Sequence, residues 1–268
     1  MSEKSNLFID IQGEEKGSSI IFSHGLSGSA RNWRGQVSVF KSRYKVVSYD
    51  LRGHARSNAP LDEACYTAEA LVGDVLRVME HSKAEKPILC GLSLGAAVSL
   101  QAALRHPDKF KGLVLASYPS SKMVPNSIRK IAKQFAQSIR EEGLDRAGEK
   151  YVWGSESGLT ENDAKFVRMG FLEHQGHGIA NILSAFLEPL PEIEEFTAQL
   201  KLLNLPTLVI AGSKDIPCIM TAQVLTRYLP NVEIVIIQDA GHLVNIEARE
   251  KFNEKLSAFM QKILPCDS

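Results

Sequence analysis

Six short runs of apolar residues stand out along the chain: Ile20–Phe22, Val46–Tyr49, Ile88–Cys90, Leu113–Ala116, Leu208–Ala211 and Ile234–Ile237. Continuous apolar runs of this length are what strands covered on both faces require, so these are read as parallel strands of a buried sheet. Leu7–Ile11 is a similar run broken by Asp10, as suits an edge strand. Segments with a different period separate most of the runs. In Thr67–His81, Leu71, Val72, Val75, Leu76 and Met79 recur at helical spacing behind Thr67, which can act as N-cap. Phe252, Leu256, Phe259, Met260 and Ile263 repeat that pattern in Arg249–Ile263. Strands alternating with helices predict an α/β protein built on a doubly wound, mostly parallel sheet.

The alternation stops between Tyr118 and about Leu200. No strand-like run appears there; Ile128, Ile131, Ala132, Phe135, Ala136 and Ile139 form one helical stripe, and Glu161–His174 and Ile179–Leu187 read as further helices. The segment leaves after the strand at Leu113 and returns at Leu205-Pro206, which puts it over the C-terminal ends of the strands, where ligands of open α/β sheets bind. We expect a core of residues 1–118 and 200–268 and a helical cap of residues 119–199, inserted after the sixth strand. Trp33, Phe135, Trp153, Met169, Phe171 and Phe186 are candidates to line an apolar pocket beneath it, although aromatics at helical spacing more often pack a helix against its core.

Composition removes several classes of function. The 268 residues, 44% of them hydrophobic, suffice for one large domain, and 31 basic residues balance 31 acidic ones. Zero net charge supplies no global field for nucleic acid or an anionic membrane, so neither partner is expected. The start, Met1-Ser2-Glu3-Lys4-Ser5, lacks a basic segment followed by an apolar one, and no run approaches membrane-spanning length, so the expectation is a soluble, cytoplasmic protein. Cys65, Cys90, Cys218 and Cys266 form no C-x-x-C pair, which argues against a zinc cluster or a disulfide framework.

The chemistry is concentrated at Gly91-Leu92-Ser93-Leu94-Gly95, between an apolar strand and the helix-like Ala96–Arg105. A strand, a sharp turn and a helix with a serine at the turn lift the hydroxyl off the end of the sheet, and the flanking glycines sit where a Cβ would collide with neighbouring backbone. A nucleophilic serine needs a base, a carboxylate to orient that base and two N–H donors for the oxyanion. Asp215 follows the strand Thr207–Ile210, and His242, in Asp239-Ala240-Gly241-His242, follows the next strand. Asp239 is only three residues before His242, too close for an arrangement that draws on two loops. The loop Ser23-His24-Gly25-Leu26 offers the Leu26 N–H as one oxyanion donor, and Leu94 offers the other. His24 reads as a structural support of that loop, and His54, His81 and His106 as solvated or structural. His174 and His177 lie three apart, but Gly176 and Gly178 disfavour a helix carrying both towards a metal, and no metal is expected.

Serine, acid and histidine in this order, each after a strand, resemble the α/β-hydrolase fold serine hydrolases. The resemblance runs from about Ile20 to Tyr118 and from Leu205 onward, and includes Asp50-Leu51-Arg52-Gly53-His54-Ala55-Arg56-Ser57, where that group shows D-x-R-G-x-G-x-S; Ala55 stands in place of the second glycine. It implies acyl transfer to water without a cofactor, and a carboxylesterase acting on small or medium acyl esters. Tyr66-Thr67 and His106-Pro107-Asp108-Lys109-Phe110 resemble capped esterases and enol-lactonases, and carbon–carbon bond hydrolases share the layout, so lactone or carbon–carbon cleavage is the alternative. A serine at the turn disfavours the dehalogenases and epoxide hydrolases of this fold, which use aspartate. A non-catalytic ligand sensor on the same scaffold is the rival from another class. Gly25-Leu26-Ser27-Gly28-Ser29-Ala30 lacks the spacing of a dinucleotide-binding loop. The expected partner is a small-molecule ester, with a homodimer left open.

Overall fold

The computed structural model describes residues 6–15, 17–119, 121–122, 128–155 and 161–264. Cys266 lies outside them, as do the side chains of Ile128 and Asp163. Seven strands form one sheet in the order β1-β3-β2-β4-β5-β6-β7: β1 Ile9–Gly13, β2 Ser19–Ser23, β3 Lys45–Tyr49, β4 Ile88–Leu92, β5 Gly112–Ala116, β6 Thr207–Gly212 and β7 Val232–Ile237. All neighbours pair in parallel except β1, which runs antiparallel to β3. Every residue of β2, β3, β4, β5 and β6 is buried, whereas the edge strands β1 and β7 are partly exposed. The apolar runs therefore mark the sheet's interior, and the interrupted run at the start marks its edge.

Alternate residues of each strand feed two separate apolar clusters, one on each face of the sheet. Ile21, Val47, Leu89, Leu113 and Val209 pack with helices α2 (Ala68–Ser82), α3 (Leu94–Arg105) and α8 (Ile216–Tyr228) on one face. Ile20, Val46, Ile88, Val114 and Leu208 pack with α1 (Arg34–Phe40) and α10 (Arg249–Ile263) on the other. The Thr67 hydroxyl accepts the Ala70 N–H and caps α2, as its sequence context predicts.

Between β5 and β6 the described residues contain helices and turns only: α4 (Ile128–Gly148), α5 (Glu161–Phe171), α6 (Gly176–Ile182), π-type turns at Glu149–Trp153 and Leu183–Leu187, and α7 (Thr197–Leu202). The insertion leaves after the fifth strand in chain order and not after a sixth, because a single strand precedes β2. Its interior, with Ile139, Phe171, Ile179, Leu183 and Phe186, is continuous with the apolar cluster over α2 and α3. Helix α6 begins at Gly176, so it carries His177 but not His174; a Cβ on Gly178 would lie 2.6 Å from the Gly53 carbonyl oxygen, so the helix needs a bare backbone there to approach the core.

The parallel register aligns Ser23, Gly91, Ala116, Gly212 and Ile237 near one edge of the sheet. Chain connection reverses direction between β2 and β4, so the crevice that α/β sheets use for ligands opens there.

Candidate active site

Ser93 occupies the turn between β4 and α3 with φ 53° and ψ −114°, a left-handed backbone that a residue with a Cβ adopts only under constraint. The constraint comes from both glycines. A Cβ on Gly91 would lie 2.2 Å from the Gly95 carbonyl oxygen, and one on Gly95 would lie 2.1 Å from that of Ser23. The turn can therefore close only with bare backbone on both sides, which fixes the Ser93 hydroxyl over the strand ends.

His242 arrives from the loop after β7, and its Nε2 lies 3.0 Å from Ser93 Oγ. Its Nδ1–H donates to Asp215 Oδ2 at 2.7 Å, so Nε2 is left as the acceptor for the serine proton. Asp215 caps α8 and is largely buried. Burial pushes its carboxyl up, but the hydrogen bond and charge of His242, with the contacts from Cys218, outweigh this and hold it below the usual carboxylate range. A serine, an imidazole and an ionised carboxylate in this series can deprotonate the hydroxyl and stabilise the imidazolium that results.

The backbone around His242 is held from three directions. Glu247 ends the short helix α9 (Val244–Glu247), and its two carboxylate oxygens accept the N–H groups of Gly241 at 2.7 Å and Leu243 at 3.0 Å. Ser117, itself at φ 48° after β5, donates its hydroxyl to the His242 carbonyl at 2.9 Å. Sequence reasoning missed both residues, because neither belongs to a motif read from strand ends alone.

Gly25, Leu26, Ser93 and Leu94 border one cavity, and the Leu26 and Leu94 N–H groups have no partner among the described residues. Leu94 is the first residue of α3, where an unpaired N–H also carries the positive end of the helix dipole. The Leu26 loop is fixed by His24, whose Nε2 accepts the Leu51 N–H and whose Nδ1–H donates to the Gly25 carbonyl. Burial, reinforced by the neighbouring His174, lowers the His24 pKa to about 4, so the ring stays neutral and keeps both bonds. His174 reaches from the insertion, donating to the Ser27 carbonyl and accepting the Ala55 N–H, each at 2.8 Å. His177 bonds to the Ala59 carbonyl instead. The two histidines thus tie the insertion to core loops. Ala55 adopts φ 42°, the left-handed conformation for which glycine is preferred at this point of the turn.

A sequence model of the alpha/beta hydrolase fold matches residues 19–249. The chain belongs to this family. Among curated relatives of this hydrolase, 3-oxoadipate enol-lactonase 1 of Acinetobacter baylyi is 29% identical over 267 residues, covering 96% of this chain and 94% of the relative. The solved enol-lactonase of Burkholderia xenovorans is 25% identical, superposes with a TM-score of 0.83 and is covered to 96%, as is this chain. A carboxylesterase structure from Nitrososphaera gargenis shares the fold at TM-score 0.84 and 21% identity, with 98% of this chain and 96% of that one covered.

The hydrolase's cavity beside Ser93 has a volume of about 340 Å³, and its composition corrects most of the expected lining. Phe135 lines it, joined by Ile131, Tyr151, Val152 and Leu187 of the insertion and by Pro119, Pro217 and Leu243. Trp33 does not: it is buried on the opposite face, stacked on Phe22 at 4.6 Å between ring centroids and close to Phe252. Phe171 and Phe186 are buried inside the insertion, Phe171 stacking on Phe135, and Trp153 lies edge-on to Phe171 across Gly148. Met169 is 71% exposed on the outer side of α5. Phe171 and Phe186 obey helical spacing because they pack the insertion, while Phe135 and Tyr151, stacked at 4.7 Å between ring centroids, supply the aromatic wall of the cavity.

Cys218 also lines the cavity, its Sγ 3.7 Å from His242 Nδ1. Asp215, Cys218 and His242 are the one group among the described residues with three potential metal donors within 4.8 Å of one another. Asp215 and His242 are already bonded to each other, and burial pushes the Cys218 thiol well up, so a cation would have to displace both that bond and a proton.

Proposed function

We propose that the protein is a serine hydrolase that cleaves uncharged carboxylic esters of small to medium acyl chains through an acyl-enzyme. The observation that carries this is the continuous series Ser93 Oγ, His242 Nε2 and Nδ1, and Asp215 Oδ2, with spacings of 3.0 and 2.7 Å, opening into an apolar cavity. In this reading residues 119–199 are the cap over a core of residues 1–118 and 200–268. His242 takes the Ser93 proton as the hydroxyl attacks the ester carbonyl, and Asp215 stabilises the imidazolium. The Leu26 and Leu94 N–H groups receive the oxyanion; one such donor supplies about 3 kcal/mol to the transition state. His242 then protonates the departing alcohol, and a water activated by the same imidazole releases the acid.

Apart from His242, no basic side chain lines the cavity among the described residues, which favours an acyl group without a carboxylate. The second reading is a lactone, an ester closed into a ring and opened by the same steps; two relatives named as enol-lactonases favour it. The test is hydrolysis of aryl esters of increasing chain length and of neutral lactones by the native chain and by Ser93→Ala. Loss of at least about a thousandfold in the variant is expected. Saturable binding of these esters with no turnover above the variant's would favour a sensor and refute the proposal.

A further inference from the structure

A second cavity among the described residues is larger than the one beside Ser93. A groove of about 550 Å³ lies on the other side of the Leu26 loop, and Ser27 is the one lining residue the two cavities share. One wall is the insertion, with Met169, Gly170, Glu173 and His174; the other is the core, with Arg31, Arg34, Asn245, Ile246 and Arg249.

Charge and floor both have the character of a built site. Arg31 is paired with Glu173 at 2.6 Å, which leaves the groove positive through Arg34 and Arg249. Neither of these makes an ion pair among the described residues, in a chain whose basic and acidic residues otherwise balance. Arg249 lies across Gly35 so closely that a Cβ there would be 2.5 Å from its Cδ, and bare backbone therefore brings the guanidinium stem alongside the turn that carries Arg34. Beneath them, Gln36 donates to the Asn245 carbonyl and to Asn253, Asn253 donates to the Gly35 carbonyl, and Asn245 donates to the Asn32 carbonyl. This amide network is buried, yet Asn245 Oδ1 has no partner in it. Asn32, Gln36 and Asn245 of this network line the groove, so its floor is held rigidly from below. Met169 and Ile246, both exposed, add an apolar surface beside the cations.

We infer that this groove is a binding site for a small amphipathic organic anion, whose carboxylate or phosphate head lies on Arg34 and Arg249 and whose apolar body lies on Met169 and Ile246. A planar guanidinium pair suits the oxygen geometry of either head group. The ligand bridges the insertion and the core next to Ser27, whose carbonyl His174 already holds. Its place is outside the catalytic cavity, so it adds to the substrate and does not compete with it.

The test is titration calorimetry of the full chain with hexyl phosphate, hexanoate, hexanol and inorganic phosphate, the two organic anions separating the head groups. One site per chain with a Kd below about 1 mM is expected for at least one of them, with hexanol and inorganic phosphate at least about tenfold weaker. Arg34→Ala combined with Arg249→Ala should weaken binding at least about tenfold while leaving Tm unchanged, since both side chains are exposed. Gly35→Ala, whose methyl must push Arg249 aside, should weaken it as much as Arg249→Ala alone. The inference is overturned if neither organic anion binds, if the double variant binds as the native chain does, if inorganic phosphate binds as tightly as hexyl phosphate, or if hexyl phosphate competes with an ester substrate.

Discussion

Replacing Glu247 by alanine removes both acceptors that hold the backbone on either side of His242. The carboxylate bonds the Gly241 and Leu243 N–H groups at 2.7 and 3.0 Å, and Gly241 leaves room for it, since a Cβ there would lie only 3.0 Å from Oε2. A hydrogen bond to a charged acceptor contributes about 1.5–3 kcal/mol when buried. Glu247 is exposed, and solvent screening reduces each bond to about 0.5–1 kcal/mol. The pair therefore holds the loop by about 1–2 kcal/mol, with the Ser117 bond to the His242 carbonyl remaining in the variant. If that free energy is lost from the alignment of His242 with Ser93, kcat/KM falls about 5–30-fold. Glu247→Gln keeps one acceptor and turns an amide NH2 towards an N–H, so it should fall between alanine and the native chain. The assay is kcat/KM on a short aryl ester, beside the rate at which a phosphonate labels Ser93; both should drop in parallel, with Tm lowered by a few degrees at most. A variant that loses Tm yet keeps kcat/KM within about twofold would show that Glu247 supports the fold and not the alignment.

Three further outcomes follow from the same geometry. Burial holds His24 neutral in the folded chain with its pKa near 4, whereas an unfolded histidine titrates near 6.5; the unfolded state therefore binds more protons between these values. Stability should fall by about 3 kcal/mol as pH drops from 6.5 to 4, His54 and His174 adding in the same direction, and a urea-unfolding free energy flat across that window would refute it. Ala55→Gly relieves a left-handed alanine and should raise stability by about 0.5–1 kcal/mol, or Tm by about 1–3 °C; a lower Tm would mean that the turn is not strained. Val152→Trp fills part of the 340 Å³ cavity, so hydrolysis of octanoate esters should fall at least about tenfold while acetate esters are spared, and equal losses on both would place the acyl chain elsewhere.

What could be read from the sequence was whatever the backbone alone enforces. Strands buried on both faces must be continuously apolar, so β2 to β6 were visible as runs, and the glycines around Ser93 were visible because any Cβ there meets a carbonyl oxygen at 2.1–2.2 Å. Ser93, Asp215 and His242 could be proposed together since each follows a strand, and parallel register brings strand ends to one edge. Pocket walls obey no such rule. Trp33 and Phe135 both look like large apolar residues near the crevice, yet an alternation of two along β2 sends Phe22, and Trp33 stacked on it, to the far face. Phe171 and Phe186 keep the period of a helix whether they face a cavity or a neighbouring helix, and only the packing of α5 and of the Leu183–Leu187 turn against α4 decides. Glu247 and Ser117 are polar residues at ordinary surface and strand-end positions; their purpose arises from a backbone they meet across space. Arg34 and Arg249 are farther still from any motif, 215 positions apart in the chain and lining one groove where Arg249 passes over the bare backbone of Gly35. Function that depends on a local turn is written in the residues of that turn, whereas function that depends on two distant surfaces closing over a glycine becomes readable only when the chain has folded.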